Sequence, residues 1–169
     1  EYKTNSKTLI LYIQASIKRL KLKNLSEFLE LIKTSPFEES LIINKITIHS
    51  TEWFRDILVF QKIKNLLYSH LQRNLKRVFR IISIGSSTGE EPYSLALMLW
   101  DLKKRFPEFK FEQHAVDLDS ISLEISKKGI YSRAQLKNIP QEYAHLLDIY
   151  SDTHFQINSK IRESINFAS

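Results

Sequence analysis

Ile81-Ile82-Ser83-Ile84-Gly85-Ser86-Ser87-Thr88-Gly89-Glu90-Glu91-Pro92-Tyr93-Ser94 is the stretch whose reading decides the fold. A β-rich run from Val78 to Ile84 enters a glycine-bracketed turn, and a helical pattern leaves it from about Gly89 to Arg105. A strand from Lys110 to Asp117 and a helix from Ser120 to Lys128 follow, an order that predicts a parallel sheet with crossover helices. In such a sheet the turn after the first strand is where ligands bind. Two of the three glycines in the chain, Gly85 and Gly89, bracket that turn, and they let backbone N–H groups approach a ligand closely. The spacing is neither G-x-G-x-x-G nor a phosphate loop ending in Gly-Lys-Ser/Thr. Glu90 and Glu91 open the helix and the turn holds no lysine or arginine, so a pyrophosphate there would face two carboxylates. A cationic cofactor without phosphate is favoured. S-adenosylmethionine, with its sulfonium and ammonium, fits, and Asp117 at the end of the next strand is placed to accept both ribose hydroxyls.

Outward from this turn, the chain of 169 residues is 43% hydrophobic and 26% charged, with a formal net charge of +6. That composition supports a folded core and excludes disorder. With no cysteine, a disulfide framework, a zinc thiolate site and a cysteine nucleophile are all excluded. The apolar runs, such as Leu9–Ile13 and Leu95–Trp100, are far shorter than the ~18 residues of a membrane span. The five histidines, at 49, 70, 114, 145 and 154, show no ligand spacing, so no metal is expected. No secretory leader is visible, and an opening at Glu1 reads as a trimmed start.

Upstream, Leu9, Ile13, Ile17 and Leu20 recur at helical spacing and predict a helix over 7–23 with a basic outer side. Asn24 followed by Glu27 starts a second helix over 25–33, and Ser35-Pro36-Phe37-Glu38 a third over 36–45. The first third, 1–46, is therefore expected to be a small helical domain. Residues 47–76 connect it onward and include a helix from Ile57 to about Asn74. Residues 77–169 carry the sheet, with Pro140 opening a short helix and with Phe155–Ile157 and Ile165–Phe167 as the last strand candidates.

Gly85-Ser-Ser-Thr-Gly-Glu-Glu-Pro-Tyr-Ser94 resembles, with one change, the signature G-C-S-T-G-E-E-P-Y-S of the chemotaxis receptor methyltransferases, the CheR family. Ile46 to Asp56 resembles the T-x-N-x-T-x-F-F-R segment of that family, Ala115-Val116-Asp117-Leu118-Asp119 resembles A-T-D-I-D, and Gly129-Ile130-Tyr131-Ser132 resembles G-x-Y-S. The resemblance implies an α/β protein in which a small helical domain precedes a Rossmann-like S-adenosylmethionine-dependent methyltransferase domain, its parallel sheet incomplete here. The implied activity is transfer of a methyl group to chemoreceptor glutamates in cytoplasmic signal transduction, leaving S-adenosylhomocysteine. A non-catalytic regulatory module that keeps the cofactor loop is the alternative. A nucleic-acid-binding domain lacks any supporting motif.

Residue by residue, the likeness carries cofactor contact onto His49, Thr51, Arg55, Gly85, Glu90, Glu91 and Asp117, with Arg55 also nearest methyl transfer. Asp119 is left as the cap of the next helix. His49 stands where the family has an asparagine, and Trp53 replaces a phenylalanine or tyrosine expected to wall the pocket. Lys18, Arg19, Lys21 and Lys23, at the end of the first predicted helix, correspond to a surface the family uses against the cytoplasmic part of its receptors. The chain ends at Ile165-Asn166-Phe167-Ala168-Ser169, before the C-R-N-V-x-I-Y-F strand of the family. On that count the chain is expected to be inactive and either to self-associate or to require its missing segment.

Overall fold

A computed structural model describes residues 6–46, 51–73 and 77–169. The chain divides into two compact units, Glu1–Ser50 and Thr51–Ser169. In the first unit, α1 (Ser6–Arg19), α2 (Leu25–Thr34) and α3 (Pro36–Ile46) pack around Phe28, which is wholly buried.

The first helix is shorter than its periodicity predicts. It stops at Arg19 because the Leu22 N–H reaches back to the Ile17 carbonyl (2.9 Å) and the Lys21 N–H to that of Lys18 (3.2 Å), a Schellman closure. Lys21 takes the left-handed position of that closure, at φ 56°, where glycine is the usual occupant. Immediately afterwards Asn24 caps α2 in a variant of the capping box: the Glu27 N–H donates to Asn24 Oδ1 (3.0 Å), and Glu27 Oε2 accepts the N–H of Lys23, the residue before the cap (2.8 Å). Lys21 and Lys23 therefore belong to the turn between helices. Arg19 is not a free basic residue either, since its Nη2 bridges both carboxylate oxygens of buried Glu38 on α3 at 3.0 Å.

In the second unit, α4 (Ile57–Gln72) leads to β1 (Val78–Ile84), α5 (Glu90–Arg105), β2 (Lys110–Val116) and α6 (Ser120–Lys128). The chain then builds a small antiparallel sheet from β3 (Ile130–Ser132), β4 (Leu147–Ile149) and β5 (His154–Ile157). Two 3-10 turns, Arg133–Asn138 and Gln141–Leu146, lie between β3 and β4. The chain closes through α7 (Ser159–Arg162) into β6 (Ile165–Ala168). The weak tail candidate over Ile165–Phe167 is thus a true strand, the third of a parallel sheet ordered β1-β2-β6. The short strands β3 and β4 carry no periodicity long enough to be read from sequence.

α5 is the centre of the core. Pro92, Tyr93, Ala96, Leu97, Met98, Leu99 and Leu102 are all buried, so the helix is apolar over most of its circumference, as a helix enclosed by other elements should be. On β1, Ser83 is buried and Phe79 and Ile81 are partly covered, whereas Ile82 and Ile84 are 62% and 83% exposed. Steps from β1 to β2 to β6 run in one direction across the sheet, and right-handed crossovers then bring the connecting helices to the same face. The other face, and the β1 edge, lie open among the described residues.

An open parallel edge beside exposed isoleucines is a template for pairing with another chain. The 169-residue chain should therefore self-associate in light scattering, and Ile82→Lys with Ile84→Lys should return it toward monomer; a concentration-independent monomer in the parent chain would contradict this.

Candidate functional site

The turn between β1 and α5 is held from three sides. From β2, the Val116 carbonyl accepts the N–H groups of Gly85 (2.9 Å) and Ser86 (3.0 Å). From the β2–α6 loop, Asp117 Oδ2 accepts the Ser87 N–H at 2.6 Å while its Oδ1 accepts the N–H of Asp119 at 2.8 Å. From α6 and β3, Ser126 Oγ donates to the Ser87 carbonyl (2.9 Å) and the Tyr131 hydroxyl to that of Thr88 (2.7 Å). Gly89 must be glycine here. Its φ is 99°, and a Cβ would lie 2.8 Å from the Tyr131 hydroxyl and 3.0 Å from Ser126 Oγ.

Asp119 caps α6 as expected, accepting from the N–H groups of Ile121 and Ser122. Asp117 instead joins the ends of the two strands. The two glutamates are not equivalent. Glu90 shares a helix face with Ser94 and Leu97 and is buried with them, whereas Glu91 is exposed. Thr88 Oγ1 donates to Glu90 Oε2 at 2.6 Å. Burial pushes the Glu90 carboxyl above its ordinary value, against the lowering effect of that hydrogen bond. The hydroxyls of Ser86 and Ser87 are buried with no partner among the described residues.

The turn carrying Thr51 and Arg55 is tied to the same helix. The Phe54 N–H donates to Ser94 Oγ (2.9 Å), and Ser94 Oγ donates to the Glu90 carbonyl (2.6 Å). Exposed Arg55 sits between two left-handed residues, Phe54 at φ 50° and Asp56 at φ 57°; the conformation costs about 1 to 2 kcal/mol at Phe54, while aspartate tolerates it better. Buried neighbours hold the turn in place. Trp53 is 3% exposed, edge-on to Tyr131 at 4.9 Å and near Tyr93 and Phe155, so it is a core residue and not the pocket wall that its position suggests. Its indole N–H donates to Gln135 Oε1 at 3.3 Å. Phe54 lies flat on Tyr143, the ring centres 5.2 Å apart. His49 lies outside the described residues.

Sequence reading overlooked Ser126, Tyr131, Ser94 and Gln113, whose amide donates to the Pro92 carbonyl at 2.6 Å. For Ser94 and Ser126 the signal available was a small polar residue four places after another polar residue on the buried side of a helix, Glu90 and Ser122; Tyr131 and Gln113, on strands, carried no such signal. Among the described residues no group of three His, Cys, Asp or Glu is placed to hold a metal, and no helix is long and apolar enough to cross a membrane.

The family model described as "CheR methyltransferase, SAM binding domain" matches residues 49–169, the unit that contains this turn. The chain belongs to the CheR methyltransferase family. Its likeness to curated members covers most of its own length. Chemotaxis protein methyltransferase 2 of Pseudomonas aeruginosa is 33% identical over 138 residues, 80% of this chain and 48% of the relative. The chemotaxis protein methyltransferase of Escherichia coli is 33% identical over 129 residues, 75% of this chain and 43% of the relative. That of Borreliella burgdorferi is 29% identical over 154 residues, 86% and 54%. The chain spans about half the length of the curated relatives it matches. Within the residues that match this SAM-binding domain, Gly85 and Asp117 directly follow the first two parallel strands and Glu90 and Glu91 open the helix after the first.

The buried state of Glu90 generates a pH test. An acid whose pKa is raised on folding loses native stability as pH climbs from its unfolded value, 4.5 here, through the raised one. Glu90→Gln keeps the acceptor for Thr88 and removes the charge. The variant should melt higher than the parent near neutral pH and converge with it toward pH ~4, and a gain independent of pH would show that the charge of Glu90 costs nothing.

Proposed function

We propose that the protein to which this chain belongs is an S-adenosylmethionine-dependent protein-glutamate O-methyltransferase acting on cytoplasmic chemoreceptor domains. The observation that carries the reading is the Asp117 carboxylate locked to the Ser87 N–H at the carboxyl ends of β1 and β2, in a chain that matches the family throughout this unit. The relatives are named chemotaxis protein methyltransferases, which supports a chemotaxis protein as the methyl acceptor.

The residues present suit the cofactor. The turn offers carboxylates and no lysine or arginine to a sulfonium and an ammonium, and the unpartnered hydroxyls of Ser86 and Ser87 can turn toward a ribose. Thr51, Arg55, Gly85, Glu90, Glu91 and Asp117 form the proposed contact set, with His49 added by its position in the motif. When bound, the cofactor supplies a methyl group that a glutamate carboxylate of pKa ~4.3, already ionised near neutral pH, accepts without a general base. The work left to the chain is alignment and exclusion of water. Arg55 is suited to orient the incoming carboxylate through its planar donor fork. The rigid turn around it gives that fork a fixed origin. Lys18 is the basic residue of α1 proposed to meet acidic receptor segments, because Arg19 is engaged with Glu38.

Calorimetric titration of this chain with S-adenosylhomocysteine should show saturable, weak binding. Asp117→Ala should remove it, since two hydrogen bonds to a charged acceptor are worth roughly 1.5 to 3 kcal/mol each; silence from the parent chain at millimolar ligand would sink the cofactor reading. In the full-length protein, Arg55→Ala should slow methyl transfer on the order of a hundredfold at saturating cofactor, and unchanged turnover would remove Arg55 from the reaction. Lys18→Glu, which spares the Arg19–Glu38 pair, should raise the apparent KM for receptor and leave cofactor affinity alone.

A further inference from the structure

The turn that carries Arg55 is left-handed on both sides and strained at Phe54, and something outside it must hold that strain. Phe54 is the buried residue that takes the left-handed conformation, and its ring lies flat, 2° from parallel, on the ring of Tyr143. Tyr143 belongs to the 3-10 turn Gln141–Leu146, an element too short to fix an aromatic ring by its own hydrogen bonds. The ring is buried in the core, and its polar end is held by Lys64 of α4.

Lys64 Nζ lies 3.2 Å from Asp101 on α5, 2.8 Å from Glu142 and 3.1 Å from the Tyr143 hydroxyl. It also stands 5.1 Å from the centre of the Tyr143 ring. Its side chain is 24% exposed and that of Asp101 14%. One ammonium therefore gathers three elements, α4, α5 and the 3-10 turn, around the ring on which Phe54 rests. The charge is secure: burial works against it, but hydrogen bonds to Glu142, Tyr143 and Asp101 raise the Lys64 pKa well above its ordinary 10.5. Burial pushes the Tyr143 phenol up to about 12, so its hydroxyl stays neutral and available as an acceptor near physiological pH.

We propose that Lys64 is a positioning residue for Arg55, acting through Tyr143 and Phe54 to hold the Trp53–Asp56 turn in its strained, ordered form. The role assigned to Arg55 rests on the methyltransferase reading; the hold on the turn does not. A neutral residue at position 64 leaves Asp101 and Glu142 without their cation, releases the polar end of the Tyr143 ring, and loosens its hold on Phe54, which can then relax toward an ordinary φ. A longer cation keeps the clamp. Lys64→Arg retains donors for both carboxylates and should preserve the turn, whereas Lys64→Met, of similar length, should not.

The test reads the turn directly. Arg55 is exposed, so trypsin cleavage after it, followed by mass spectrometry, reports how often the turn opens. Cleavage after Lys127, exposed on α6 of the same unit, reports general loosening. Lys64→Met should raise the ratio of Arg55 to Lys127 cleavage about five- to tenfold, the size expected for residues in one network, and Lys64→Arg should restore it to within about twofold. Glu142→Gln, at a position whose side chain is 57% exposed, should move the ratio the same way by less and serves if Lys64→Met does not fold. An unchanged ratio in both Lys64→Met and Glu142→Gln, or an equal rise at both sites, overturns the proposal. In the same preparations, S-adenosylhomocysteine titration separates the two readings. A parent chain that binds nothing defeats the cofactor assignment, and the cleavage ratio still decides the clamp.

Discussion

The Asp117 carboxylate is the junction on which the second unit depends. Two parallel strands end side by side; the Gly85, Ser86 and Asp117 N–H groups still reach carbonyls of the neighbouring strands, but the N–H groups of Ser87 and Asp119, one step further into each loop, need another acceptor. One carboxylate answers both needs, with Oδ2 accepting from Ser87 at the end of β1 and Oδ1 from Asp119 at the end of β2. The first contact sets the path of the turn into α5. The second sets the backbone of Asp119, whose own side chain then caps α6. A single residue thus registers both crossover helices to the sheet.

Around that junction the unit is built from aromatic rings with polar tips. Tyr93 is wholly buried, yet its hydroxyl donates to the Ser126 carbonyl at 2.6 Å; Tyr131 does the same for Thr88. Each ring adds apolar contact in the core while its hydroxyl satisfies a carbonyl in a loop or helix, a combination that phenylalanine cannot provide. Burial holds both phenols far above the ordinary tyrosine value, so they remain donors at any physiological pH. Trp53 joins them from the Thr51–Arg55 side. The turn bearing Arg55 and the turn bearing Glu90 share one aromatic support.

Much of this was legible in the sequence because the elements concerned are long and consistent at every level. The strand Val78–Ile84, the helix ending at Arg105 and the helix Ser120–Lys128 show hydrophobic period, cap and turn glycine in agreement. The site turn was legible for a different reason: its glycines and glutamates are chemically unusual together. What stayed hidden depends on partners remote in sequence. β3 and β4 are three residues each, and they exist as strands because β5 lies between them. The end of α1 was missed because a lysine fills a position where glycine is the usual sign. Trp53 was misplaced because an aromatic residue beside a site reads equally as wall or core, and only the positions of Tyr131 and Phe155 decide.

The sheet order β1-β2-β6 bears on how the chain reaches its native state. β1 and β2 are joined through a single helix, whereas β2 meets β6 only after α6, the whole antiparallel sheet and α7 have been traversed. Closing the longer loop costs more chain entropy, and contacts far apart in sequence form late. The β1–α5–β2 unit is therefore the natural nucleus. The antiparallel sheet shortens the second search by folding the intervening chain back on itself, so that β6 arrives at a platform already set.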